Sequence, residues 1–358
     1  MMVSKRALVY DPYLGTLGGG ERYMFAVVQL LRARFEVVIG GSTVPSSALL
    51  RERGFPGDCT IIQMNDRAFT DTSGDFDLVV VVANGVPPRS RCAASVLILQ
   101  FPFPERRPWR QAEARLNRRW LSGYQTVVYS EFVREWTQRR LLIPSRVIFP
   151  PIELGSFCPE AKRPLILSVG RFFTSDHTKR QGVLVEAYLE LPEAVRGEWS
   201  LVLAGAAGGD RDSERYLHRL RHEAAGAAIE FAVNVPQARL LELLNEASIF
   251  WHAAGFAREE SRPDRAEHFG MATVEAMSWG AVPMVFDDGG QREVVSDRVG
   301  YRWRTVPELV SHSVDLISDD LARRELALAA AAASEEYSVA RFEAAFNALV
   351  DEVLDGVS

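Results

Sequence analysis

The chain has little of three things. It holds three cysteines in 358 residues, Cys59, Cys92 and Cys158, too few and too scattered for a disulfide framework or a zinc site. That suits a reducing cytoplasm, the expected location, with the inner membrane face as a peripheral alternative. It has no excess of positive charge: 41 Lys and Arg stand against 47 Asp and Glu, a net charge of −6, which argues against a general nucleic-acid binder. Long hydrophobic runs are missing too. The longest, Leu78 to Ala83 and Leu326 to Ala333, fall far short of the roughly 20 residues that cross a bilayer. Lys5-Arg6 leads straight into a strand-like segment, so no signal peptide is expected. No repeat of solenoid period is present.

What is present is an ordinary globular composition, 47% hydrophobic and 25% charged, at a length that predicts two domains. Proline and polar residues concentrate from Pro150-Pro151 to Pro164, and the boundary is expected there: residues 1–152, then 153–336, then a closing helix over 337–358. In the first part, Ala7 to Tyr10 reads as a strand, followed by Gly18-Gly19-Gly20 and a helix patterned by Met24, Val27, Val28 and Leu31. Glycines between a strand and a helix let backbone amides approach a phosphate or a sugar; a plain tight turn is the other reading. The segment is not Gly-x-Gly-x-x-Gly, so a nicotinamide dinucleotide has little support.

Further strands are expected at Glu36 to Ile39, Thr60 to Gln63, Leu78 to Val82, Val96 to Gln100, Thr126 to Tyr129 and Arg146 to Phe149. Asp75-Phe76-Asp77 has the form of a metal motif but enters its strand at the amino end, opposite the ligand edge of a parallel sheet, and reads as surface punctuation. Residues 105–119 are rich in arginine and carry Trp109. That suits either a solvated helix or contact with an anionic membrane surface.

The second series opens with Leu165 to Arg171 and places Lys179 just before an apolar helix. Strands at Ser200 to Gly205 and Ile229 to Val235 follow, and His252 ends the strand after those. His252 is expected to be packed and hydrogen-bonded, with a phosphate contact as the alternative. The charged segment 256–266 is expected to be a mobile loop or an exposed excursion. Then comes Glu267-His268-Phe269-Gly270-Met271-Ala272-Thr273-Val274-Glu275-Ala276-Met277-Ser278-Trp279-Gly280. Met271, Val274 and Met277 recur at helical spacing between two apolar runs, so the helix start belongs at the carboxyl edge of a parallel sheet. Two carboxylates beside free helix N–H groups suit a ligand rich in hydroxyls.

This phrase, with Ser-Val-Gly-Arg and its following lysine, resembles the signature of the retaining glycosyltransferases of family 4. The likeness spans most of the chain and is densest from Leu165 to Val295. It implies an α/β chain of GT-B type, two Rossmann-like domains facing each other across a cleft, and transfer of a hexose from a nucleotide sugar to a hydroxyl without a metal or cofactor. By the same resemblance, Arg171 and Lys179 grip the donor diphosphate, Glu275 holds the ribose, and Glu267, His268, Phe269, Gly270 and Met271 meet the donor sugar. The base rests near Val233 and Asn234, and Gly18, Gly19 and Gly20 lie beside the diphosphate and the acceptor. Many family members carry a histidine where this chain has Gln100. Glutamine is no general base, so here it is expected to meet a hydroxyl on the acceptor side or to be structural. Glu-His-Phe-Gly resembles the mannosyltransferase branch and favours GDP-mannose, with UDP- and dTDP-sugars still open. The acceptor is a saccharide, a lipid-linked saccharide or a small molecule. A sugar phosphorylase or nucleotide-sugar hydrolase on the same fold, and a silent partner subunit, are the rival readings.

Overall fold

A computed structural model describes residues 5–16, 19–52, 55–101, 121–174 and 178–357. Gly18 and the arginine-rich segment 105–119 lie outside them. The described chain forms two compact units, Met1–Pro151 with Val339–Ser358, and Ile152–Ser338.

The first unit is built on seven parallel strands, β1 (Arg6–Tyr10), β2 (Glu36–Gly41), β3 (Thr60–Gln63), β4 (Leu78–Ala83), β5 (Ser95–Leu99), β6 (Gln125–Val128) and β7 (Arg146–Val147), ordered β3-β2-β1-β4-β5-β6-β7. A parallel sheet covered on both faces needs apolar side chains on both, so its strands read as continuous apolar runs. Every residue of β4 and of β5 is buried. Asp77 stands at the amino end, where its carboxylate accepts the Arg6 backbone N–H at 2.7 Å, which is a structural use of that acid. β7 stops at Val147, short of the expected Phe149, and Pro150 and Pro151 beyond it carry no N–H for a ladder.

The second unit carries β8 (Arg163–Val169), β9 (Ser200–Gly205), β10 (Ile229–Val233), β11 (Ala247–His252), β12 (Val282–Phe286) and β13 (Tyr301–Trp303), ordered β10-β9-β8-β11-β12-β13. β10 ends two residues early because Asn234 turns into the left-handed region at φ 52°. β13 had no sequence signal, since three residues are too few to show a pattern. Tertiary packing makes it a strand: Tyr301 pairs with Met284, and the fully buried Trp303 packs on Phe286 at 5.3 Å and Phe256 at 5.6 Å. In each sheet the order reverses once, at β1/β4 and at β8/β11. Open α/β sheets take their ligands beyond the strand carboxyl ends at such a reversal.

The helix Val339–Asp355 belongs to the first unit. It buries Phe342, Phe346, Leu349, Val350 and Val353 on one face, with Phe342 edge-on to Tyr23 at 5.1 Å. Ion pairs Arg34–Asp351 and Arg146–Glu352, both at 2.7 Å, lie at its exposed side. Such surface pairs contribute little next to the apolar face. Phe346→Ala should therefore destabilise the protein by about 3–5 kcal/mol in urea unfolding, whereas Glu352→Ala should change it by less than about 1 kcal/mol. Among the described residues, no helix is long and apolar enough to cross a membrane.

Candidate active site

The reversal point of the second sheet gathers residues from three separate stretches. β8 runs out at Val169, and Gly170 and Arg171 follow. Gln181, buried in the first turn of the helix Gln181–Glu190, donates through Nε2 to the carbonyls of Gly170 at 3.2 Å and Arg171 at 3.0 Å. The Tyr216 hydroxyl donates in turn to Gln181 Oε1 at 3.1 Å. This network ties the strand end to the helix start and sets the path of Lys179 between them. The lysine chain lies across Gly170: a Cβ there would come within 2.6 Å of Lys179 Cγ.

Lys179 Nζ meets Glu267 Oε2 in an ion pair, although 88 residues separate the two. His252, the last residue of β11, is 3% exposed and places Nε2 2.9 Å from the same oxygen. Burial pushes the His252 imidazole below its ordinary pKa; the Glu267 carboxylate opposes that without reversing it. A carboxylate only accepts, so the neutral ring carries its proton on Nε2 and donates it to Glu267. Nδ1 has no hydrogen-bond partner among the described residues. For Glu267, burial alone would raise the pKa, but the Lys179 charge and the His252 hydrogen bond outweigh it and hold the carboxyl well below its usual range. Glu267 is thus an ionised carboxylate with two donors on one oxygen.

Two features place the Glu267 backbone. Gly289 has φ 60°, and a Cβ on it would stand 2.2 Å from the Glu267 carbonyl oxygen; one on Gly290 would stand 2.3 Å from that of His268. The Gly290 N–H donates to Glu267 O at 2.8 Å. The glycine pair after β12 therefore gives the Glu267–His268 segment room to pass. The second feature is the charged segment 256–266, which is anchored. Arg258 binds Asp288 through two nitrogens, Nη2 to Oδ1 at 2.7 Å and Nε to Oδ2. Arg262 grips Asp264 with Nη2–Oδ2 at 2.6 Å, and both are buried along with Pro263. Arg258 and Arg262 pair inward, whereas Glu259, Glu260 and Ser261 are exposed, so the segment is an exposed excursion anchored at two points.

The helix Met271–Ser278 starts beside Glu267, with Gly270 (φ 107°) ahead of it and Met271 half-buried at its first position. His268 and Phe269 are buried, the latter edge-on to Tyr337 at 5.2 Å. Glu275, half-buried, lies one turn into the helix. Buried Gln291 donates to Thr273 Oγ1 at 2.9 Å and joins the helix to the turn after β12. Arg171 is exposed, with its guanidinium 4.9 Å from the Phe173 ring centroid. Arg180 instead lines the groove beside Glu186, Tyr216 and Arg219. At the neighbouring strand ends, Val233 pairs with Gly205, and Asn234 Oδ1 accepts the Ala207 N–H at 3.1 Å. In the first unit, Gly19 and Gly20 open the helix Gly19–Arg32, and Gln100 follows β5, 4% exposed.

Lys179, Glu267 and His252 thus share one oxygen at the sheet edge, with the Met271–Ser278 helix start next to them. The expected packed, hydrogen-bonded His252 is present; that its partner is Glu267, and that the glycine pair lies beneath Glu267, were not read from the sequence. A histidine at a strand end and a Gly-Gly turn each have common structural explanations, and only the spatial neighbours distinguish them. Chemically, the arrangement offers a cation for an anionic ligand, a carboxylate for hydroxyls, and free helix N–H groups for further oxygens.

Comparison with known proteins agrees with this architecture. The family model described as "Glycosyl transferases group 1" matches residues 157–334. A GDP-Man:Man(3)GlcNAc(2)-PP-Dol alpha-1,2-mannosyltransferase from Caenorhabditis elegans is 28% identical over 244 residues, 61% of this chain and 50% of that protein. Its Xenopus laevis counterpart is 29% identical over 156 residues, 41% of this chain and 30% of that one. The chain thus spans half or less of the length of these relatives. Among solved structures, Anabaena Alr3699/HepE in complex with UDP and glucose superposes with a TM-score of 0.73 at 18% identity, covering 97% of this chain and 100% of that one. Sucrose-phosphate synthase from Thermosynechococcus elongatus reaches 0.71 at 13% identity, covering 98% and 100%. These likenesses identify the fold as the GT-B type of two parallel-sheet α/β domains. Over residues 157–334, in its C-terminal unit, the chain carries a glycosyl transferases group 1 domain.

Proposed function

We propose that this chain is a retaining, metal-independent glycosyltransferase that moves a hexose from a nucleotide diphosphate sugar, with GDP-mannose favoured, to a saccharide hydroxyl. The observation that carries the reading is the meeting of Lys179, Glu267 and His252 at the reversal point of the C-terminal sheet, beside a helix start. GDP-mannose is favoured because the relatives from C. elegans and Xenopus bear GDP-Man in their names. The same names make a lipid-linked saccharide the first acceptor to try.

In this reading the C-terminal unit binds the donor. Lys179 and Arg171 neutralise the diphosphate; arginine binds phosphate oxygens in a fork, and lysine acts as a point charge. Glu267, His268 and the Phe269–Met271 backbone hold the donor sugar, Glu275 the ribose, and the Val233-Asn234 turn the base. The bond from the anomeric carbon to the diphosphate oxygen breaks, and its electron pair leaves with the diphosphate. The acceptor oxygen bonds to the same face of that carbon, and the leaving phosphate takes the acceptor's proton. Charge grows on the leaving group as the bond stretches, so fixed cations and the helix dipole favour the transition state over the ground state.

A nucleotide panel in thermal unfolding, with and without EDTA, tests the donor side. GDP at 100 times its dissociation constant should stabilise the protein by about 2.7 kcal/mol, more than UDP or dTDP and equally in EDTA. A larger shift with UDP would overturn the GDP preference, and a shift that vanishes in EDTA would overturn metal independence. Product analysis by NMR at the anomeric carbon reads retention directly.

A further inference from the structure

The helix Asp320–Ser334 of the second unit places its side chains the opposite way from a helix that serves one chain alone. Its buried positions are small, Ala327, Ala330 and Ser334, and it packs against the helix Met271–Ser278. Leu326 is half-buried against the core, but the other two leucines face out. Leu321 is 68% exposed and Leu328 59%, the two highest values for large hydrophobic side chains among the described residues. A single exposed leucine is ordinary. Two of them seven positions apart share one helix face and form a stripe.

Between the leucines stand Arg324 and Glu325, both exposed, and Ala332 continues the stripe. Arg324 reaches back to Asp320, Nε to Oδ2 at 2.7 Å, yet its side chain stays 69% exposed. Glu325 has no ion pair among the described residues. The pattern has a centre. Leu321 and Leu328 lie equally far from the midpoint between Arg324 and Glu325, as those two charges do themselves. A perpendicular two-fold axis through that point lays leucine on leucine and arginine on glutamate. A parallel alignment in register would instead set each charge against its like.

We propose that this face docks a second copy of the chain, the two Asp320–Ser334 helices running antiparallel, with Leu321 against the partner's Leu328 and Arg324 against the partner's Glu325. The inference goes beyond the transfer reaction and does not rest on it. A two-fold interface must be complementary to itself, and opposite charges placed symmetrically about the centre of an apolar stripe meet that condition. An unrelated partner has no need of the internal symmetry. A lipid surface fits less well, because the exposed charges on and beside the stripe are Asp320, Arg324, Glu325 and Glu335. Three acids to one base oppose an anionic headgroup layer.

The size of the face sets the strength. At a rise of about 1.5 Å per residue the helix spans about 22 Å. One such pair buries less than the roughly 1,200 Å² at the lower end of stable interfaces. The dimer is therefore weak, with a dissociation constant of about 10–100 µM. The leucine pairs supply the attraction and the charge pairs fix the direction of docking.

Sedimentation equilibrium of the full chain from about 1 to 300 µM tests the proposal, with a monomer–dimer equilibrium expected. Leu328→Glu should weaken association at least about tenfold, since it puts a charge into both leucine contacts. Arg324→Glu and Glu325→Arg should each weaken it about tenfold, because each sets like charges together twice per dimer. An equimolar mixture of these two singly reversed chains should associate as the parent does, since each supplies the charge that the other lacks. Recovery on mixing also excludes misfolding as the cause of the loss. A monomer throughout the range, a dimer indifferent to all three substitutions, or no recovery on mixing would each overturn the interface. So would a parent monomer that pellets with phosphatidylglycerol vesicles and a Leu328→Glu chain that does not, which would make the stripe a membrane contact. GDP stabilisation measured alongside reads the transferase proposal separately and should be alike in parent and variants.

Discussion

Lys179→Ala is expected to lower turnover by roughly 10²–10³-fold while the protein stays folded. The lysine is the cation that the tertiary structure holds in place: Gln181 fixes the backbone around it, and Glu267 pairs with its Nζ. A diphosphate leaving group competes with Glu267 for that charge, and its claim strengthens as negative charge develops during bond cleavage. The loss should therefore fall mainly on kcat, with a smaller change in donor affinity. Folding should suffer too, because the buried carboxylate loses its cation and keeps only its His252 partner, 2.9 Å away. Steady-state kinetics of donor consumption read the result directly. Turnover within a factor of a few of the parent enzyme would remove Lys179 from the chemistry and leave its ion pair as architecture only.

Glu267→Gln should likewise cost stability as well as transfer. It leaves Lys179, whose side chain is only 26% exposed, without its counter-charge, and it replaces the acceptor of the buried His252. Breaking one side of a buried pair costs about 3–5 kcal/mol, and the partial exposure of Lys179 places this case near the lower end. The pH dependence follows from the shifts. The folded-state pKa of Glu267 is well below 4.5, its ordinary value, so its stabilisation is complete above that pH and is lost as pH falls through the folded value. His252 adds to the acid sensitivity of the parent protein. Its folded pKa lies below 6.5, so the unfolded chain takes up its proton first and stability declines as pH drops below 6.5. The stability gap between parent and Glu267→Gln should be full at pH 7 and close below about 4.5. A gap that persists undiminished into strong acid would mean that the glutamate acts by shape and not by charge. A double-mutant cycle with Lys179→Ala isolates the pair itself.

The order of strands and helices was legible because both sheets are parallel and doubly covered. Leu78 to Val82 and Val282 to Phe286 announce themselves as apolar runs with no polar face, and helical spacing at Met271, Val274 and Met277 marks the element that follows Glu267. Boundaries were less legible where tertiary context overrode local signal. Asn234 ends β10 by adopting a left-handed turn, and Tyr301–Trp303 becomes a strand only because β12 lies beside it.

For the site, the family resemblance singled out Lys179 and Glu267 and set both at the donor, but it did not show the direct ion pair between them. The charged run 256–266 looked wholly exposed, because Asp288, the partner of Arg258, stands 30 positions further on. Gln100 was singled out from the family resemblance, but its burial and its neighbour Tyr129 were not legible, since both depend on strands that pair only in the fold.

The amino-acid sequence by itself determined the periodicities, the parallel α/β class, and a phrase characteristic of a sugar-transferring family. These depend on neighbours within a few positions, which a linear text records. The tertiary structure alone decided which charges neutralise one another, which histidine holds the glutamate, and which polar atoms are buried without partners. Burial and pairing are properties of distance in space, and residues 88 positions apart form an ion pair only after the strands between them have stacked.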